Sequence, residues 1–289
     1  MTMPQAIPAS IEVSPKQAIE SQELGMLFPP GTHVYVTDIG TDSTETLVRA
    51  AARLRQLDYE PVPHVASRRM ESTGALEERI RRLSGEAGVR DVLIIGGGLD
   101  RPAGEFTSTM DILETGVLDR NGIKRVGVAG HPEGSPDFSD AVALDALRLK
   151  RNFAERSGAE LRIVTQFGFD AEKFVRWAEG LKAHGLDVPV HLGVAGPAAL
   201  KTLMKFAAMC GVGASLSFLK RNALKVTQLA VTQSPETVVG PIEKAWRDNP
   251  GVPIAKIHVF PFGGLAKSSE WLRERGSWPT VDGLAMAAE

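Results

Sequence analysis

Three runs decide the fold: RVGVAG (125–130), LRIVTQFG (161–168) and VPVHLGVAG (188–196), with long amphipathic stretches between them. Each run is short, rich in β-branched residues and closed by glycine, which reads as a buried strand running into a turn. The stretches between them, Ser139 to Ser157 and Asp170 to His184, carry apolar residues at helical spacing. Asp170 is an N-cap candidate, and Gly185 follows the end of its helix. Outward from this block the same unit recurs. SIEVS (10–14), HVYVTD (33–38), PVPHVA (61–66) and DVLIIGG (91–97) precede it, and AKIHVFPFGG (255–264) follows. Further helical stretches are Ser43 to Leu57, Ser72 to Ala87, Thr107 to Asp119, Pro197 to Met209, Pro235 to Asp248 and Leu265 to Arg275. Eight β-then-α units at about 30 residues each predict a single-domain α/β protein, a (β/α)8 TIM barrel over residues 1–289. Glycine-rich ends at several strands argue against a doubly wound open sheet. Residues 1–8 and 281–289 read as loose ends.

The 33 basic and 35 acidic residues leave a net charge of −2, which offers no electrostatic footprint for nucleic acid or an anionic membrane. No apolar run reaches the roughly 18 residues of a membrane span, and MTMPQAIPAS shows no signal-peptide pattern, so the cytoplasm is the expected location. The single cysteine, Cys210, excludes an intrachain disulfide and a cysteine metal cluster. In KTLMKFAAMCGVG it reads as a small buried hydrophobe. The six histidines (33, 64, 131, 184, 191 and 258) lack HxH or HxxxH spacing, so no metal is expected. Oligomeric state is left open, a homo-oligomer included.

Chemistry in such a barrel belongs at the C-terminal strand ends. There Glu12 is the most informative residue. Alternation places Glu12 and Ser14 on one face and Ile11 and Val13 on the other. A carboxylate in a buried strand must be paired or shift its pKa upward, and a raised pKa suits a general acid. IIGGGLDRPAGEF (94–106) could bring backbone close to a flat or phosphorylated ligand, but as a nucleotide motif it is weak and on its own a tight βα turn explains it better. GHPEGSP (130–136) is a rigid polar loop holding His131. Gln166 offers donor and acceptor to the edge of a heterocycle such as a pterin. Arg148, Lys150 and Arg151 could face a diphosphate, or simply water.

Together these pieces resemble the methylenetetrahydrofolate reductase family. SIEVSPK resembles its opening Glu-Phe-Phe-Pro-Pro-Lys strand, PVPHVAS its Pro-His-Leu-Thr-Cys strand, GHPEGSP its Tyr-Pro-Glu-x-His-Pro loop and LDALRLKRN its Asp-x-x-x-Leu-Lys-x-Lys helix. RIVTQFGFD resembles Ile-Thr-Gln-Phe-Phe-Phe-Asp and is the most specific match. The resemblance implies a flavoprotein oxidoreductase using FAD, with a tetrahydrofolate derivative as substrate and NADH or NADPH as partner reductant. It implies Glu12 as catalytic acid and Gln166 as a folate contact. For FAD it implies Thr37, His64, Gly96, Gly97, Gly98, His131, Asp145, Arg148 and Arg151. The family's Arg-Gly-Asp at the fourth strand is replaced by Gly96-Gly97-Gly98, with Asp100 two places on as a candidate substitute on the folate side. Losing an acidic group beside the flavin suggests operation in the methyl-oxidising direction. Two other readings stay open: a flavin barrel acting on a non-folate substrate, and a barrel that binds folate or flavin without catalysis.

Overall fold

A computed structural model describes residues 6–135, 137–213, 215, 217 and 232–279. Eight parallel strands close into a barrel: β1 (Ala9–Val13), β2 (His33–Val36), β3 (Glu60–Ala66), β4 (Asp91–Ile95), β5 (Arg125–Gly130), β6 (Glu160–Phe167), β7 (Val190–Ala195) and β8 (Ile254–Phe260). Each strand pairs with its chain neighbours, and β8 closes the ring on β1 with Ser10 opposite His258. This is the (β/α)8 TIM barrel expected from the alternation.

The strands sort their residues by pleat. Outward positions such as Val34, Val92, Val128, Ile163 and Val194 join helix residues Leu47, Ile80, Leu147 and Phe174 in the main core between barrel and helices. A smaller interior cluster holds Tyr35, Val62, Leu93 and Val164. Many other inward positions are polar, among them Ser10, His64, Asp91, Arg162, His191 and His258, all buried. The barrel is therefore apolar outside and charged within, and its chemistry is confined to the lumen.

Several boundaries differ from expectation, each for a local reason. Ser14 has left β1: its hydroxyl caps the helix Pro15–Glu20 in a capping box with Gln17. The expected helix 107–119 is split into Thr109–Leu113 and Val117–Arg120, because Gly116 takes a left-handed φ of 69° between them. Ala198–Ala199 pairs antiparallel with Thr232–Gln233, so the next helix starts at Leu200. Residues 6–8, expected to be loose, are tied down: Ala6 and Ile7 are buried, and the Ile7 N–H donates to Glu243 at 2.6 Å. The expectations for residues 1–5 and 281–289 lie outside the described residues.

Candidate functional site

Glu12 sits on β1 with its side chain 13% exposed, between two imidazoles. Its Oε1 lies 3.3 Å from His258 Nε2 on β8 and 3.5 Å from His64 Nε2 on β3. Behind His258, Ser10 Oγ is 3.0 Å from Nδ1, so Ser10, His258 and Glu12 form one hydrogen-bonded chain. The Tyr35 ring packs 4.4 Å from the His258 ring and fixes it from below. Burial raises the Glu12 pKa, but the His258 hydrogen bond and the charges of both imidazoles outweigh it, and the result lies below the usual carboxylate value. Of the two alternatives the sequence left open, a paired carboxylate or a raised pKa, the structure shows the first: the carboxylate is paired, and pairing favours its charged form. Burial holds the His64 pKa below the ordinary imidazole value.

Above this group opens a cavity of about 980 Å³, at the upper end of the range for small-molecule sites, roughly 300–1,000 Å³. Its walls include Glu12, His64, His258, Gln166, His131 and Gly96 to Gly98. An ideal Cβ on Gly96 or Gly98 would meet no atom within 4 Å, so this wall is open backbone against which a flat ligand can lie. Gln166 reaches the wall through a shift in register between β6 and β7, made possible because Gly193 lacks a side chain: a Cβ there would sit 2.4 Å from the Thr165 carbonyl oxygen. A second, smaller hollow of about 260 Å³ shares His131, Pro132 and Asp140 with the first and continues between the helices Asp140–Ser157 and Ala171–Ala183.

The other expected residues stand apart from both hollows. Thr37 follows β2 and donates its N–H to the Val13 carbonyl. Asp100 is exposed beyond the glycine wall. Asp145 and Arg148 pair with each other on the outer helix, and Arg151 is held by the Gly185 carbonyl and Asn152. Cys210, expected to be buried, is exposed and lines the mouth with Gly211 to Gly213. One polar residue of the site escaped the sequence reading: His258 lies between Ile257 and Val259 much as Glu12 lies between Ile11 and Val13, and the same alternation would have found it. Glu133, part of the polar GHPEGSP loop, accepts from the Ser215 backbone N–H and hydroxyl at 3.0 and 2.6 Å and ties the loop after β5 to the segment after β7.

The methylenetetrahydrofolate reductase family profile matches residues 21–233, well over half of the chain. The chain belongs to the methylenetetrahydrofolate reductase family. Relatives include the 5,10-methylenetetrahydrofolate reductase of Pectobacterium carotovorum, 29% identical over 174 residues, which are 59% of this chain and 54% of that protein. The Escherichia coli enzyme of the same name is 32% identical over 128 residues, 43% of this chain and 40% of that one. The chain thus spans about half the length of the curated relatives it matches. Among solved structures, a 2,3-dimethylmalate lyase of the PEP mutase/isocitrate lyase superfamily overlaps 94% of this chain and 80% of its own. Its TM-score is 0.50 at 12% identity, a likeness of fold alone. Within this reductase family member, Glu12 and His258 fall outside the matched segment, so their pairing rests on barrel geometry.

Proposed function

We propose that the chain interconverts 5,10-methylenetetrahydrofolate and 5-methyltetrahydrofolate as a flavin-dependent oxidoreductase, with Glu12 as general acid and base. The carrying observation is a carboxylate held between two imidazoles in the wall of a cavity that Gln166 also lines. The residues present fit FAD. Gly96 to Gly98 offer a flat backbone wall, the two hollows join at His131, Pro132 and Asp140 into one elongated site, and Arg68 adds a cation to the lining. When bound, the flavin would supply or accept the hydride, with NADH or NADPH as the outside reductant.

The chain's own work is proton handling and orientation. Reduction of the methylene bridge needs a proton on the bridging nitrogen so that its carbon–nitrogen bond opens. The carbon then takes the hydride and becomes the methyl group. Glu12 is ionised at rest and faces the cavity, so it takes up its proton from that side, while His258, with Nδ1 on Ser10 and Nε2 on the carboxylate, holds it in place. Gln166 presents a carboxamide to the heterocycle edge. In the methyl-oxidising direction Glu12 takes the proton back. The exposed position of Asp100 and the bare glycine wall leave no carboxylate there beside the flavin, which favours that direction.

An anaerobic absorbance spectrum tests the reading. Purified protein is expected to carry a flavin band that bleaches with 5-methyltetrahydrofolate. Glu12→Gln should lower folate turnover by about 10²–10⁴-fold while leaving flavin reduction by the nicotinamide intact. Full folate turnover in the variant would sink the acid role. A flavin indifferent to folate would favour a non-folate substrate, and indifference to every reductant a binding protein. A midpoint potential like that of ordinary reductases would remove the case for the oxidising direction.

A further inference from the structure

At the opposite end of the barrel inward residues near the strand starts form a charged ring. His33 comes from β2, Glu60 from β3, Asp91 from β4, Arg125 from β5, Arg162 from β6, His191 from β7 and Lys256 from β8. The two carboxylates are already shared. Asp91 meets Arg162 at 2.8 Å and Arg125 at 3.2 Å, and Glu60 meets Arg125 at 3.4 Å and Arg55. Glu160, opposite Arg125 at the exposed start of β6, is a third carboxylate at this end, so four cations (Arg55, Arg125, Arg162 and Lys256) face three anions, an excess of one positive charge.

Polar atoms are left over as well. Arg162 is 8% exposed, and its Nη2 has no hydrogen-bond partner. It occupies the space above Gly127, where an ideal Cβ would lie 3.2 Å away. His191 is 5% exposed with Nδ1 unpartnered. Lys256, half-buried, makes no ion pair or hydrogen bond among the described residues. Water can satisfy a donor, but it cannot offset excess charge in a desolvated ring.

We propose that this ring is an anion site, separate from the mouth cavity, that takes a small oxyanion such as inorganic phosphate or sulfate. The Tyr35, Val62, Leu93 and Val164 layer lies above the ring, so the ligand enters from the floor, where Arg125 and Glu60 are about one-third exposed.

Thermal melting of the full chain in sodium phosphate, against sodium chloride at equal ionic strength, tests the proposal. Wild type and the mouth variant Arg68→Gln should show a saturable rise in Tm of several degrees at millimolar phosphate, and Lys256→Gln should show none. A rise that follows ionic strength alone, or that persists in Lys256→Gln and vanishes in Arg68→Gln, would overturn it. If Lys256→Gln fails to fold, the imidazole resonances of His191 in the wild type decide: they should move with phosphate, and unmoved resonances reject the site.

Discussion

Burial alone would push the Glu12 carboxyl toward its neutral form, yet the two imidazoles reverse the direction. His258 is thus a positioning residue whose removal should show in the pH profile as well as in the rate. His258→Gln removes the leading stabiliser of the carboxylate, so the Glu12 pKa should rise and the pH limb assigned to it should move upward. If the proposed reaction holds, turnover should fall about 10–100-fold with little change in folate KM; an unmoved limb would reduce His258 to packing. Lys150 offers a second test. It is 7% exposed, forms no ion pair or hydrogen bond among the described residues, and burial lowers its pKa to about 8. Between pH 8 and 10.5 the unfolded chain binds the proton that the folded chain has lost, so stability rises with pH across that window and is flat below it. In urea unfolding of the cofactor-free protein at pH 7, Lys150→Met should be more stable by roughly 1–3 kcal/mol and should lose the rise. An unchanged slope would place the ammonium in water.

The strands were legible because a parallel barrel buries both faces, and β-branched runs such as VLII and IHVF fit little else. Their ends were less so. Glycine breaks Thr109–Leu113 from Val117–Arg120, and a two-residue ribbon at Ala198–Ala199 draws on pairing with a distant segment. For the site, Glu12 could be read from its own strand. Its partner His258 is 246 residues away and becomes a neighbour only when β8 closes on β1, so its inward position was readable from alternation but the pairing was not. Gln166 depends on an element-scale device as well. Gly193→Ala would set a Cβ 2.4 Å from the Thr165 oxygen and force β6 and β7 apart. The substitution should cost about 1–3 kcal/mol in denaturant unfolding and raise folate KM through the displaced Gln166. Normal stability and KM would mean that the register shift relaxes without consequence.

Across the whole barrel, the lumen carries the molecule's acid sensitivity. Burial, aided by Lys256, Arg162 and Arg125, lowers the His33 pKa to about 4. His191 is held well below the ordinary value by burial and by Arg162 and Lys256. Both folded values lie under the unfolded one near 6.5, so between them the unfolded state binds more protons and stability falls as pH drops. Each histidine contributes at most about 1.4 kcal/mol per pH unit in that window. Glu12 and Glu60, with lowered values, add their loss only below about pH 4.5. Asp91, raised by burial, works the other way, because the native state takes its proton first. Histidine protonation therefore sets the onset of acid unfolding. Urea unfolding should show a loss on the order of 3 kcal/mol between pH 7 and 5. The double variant His33→Asn, His191→Gln should flatten that slope, and an undiminished slope would move the acid trigger to the mouth, where His64 and His131 also have lowered values. Added phosphate should oppose the loss in the wild type, because two new positive charges on the ring strengthen the anion's hold as they weaken the fold.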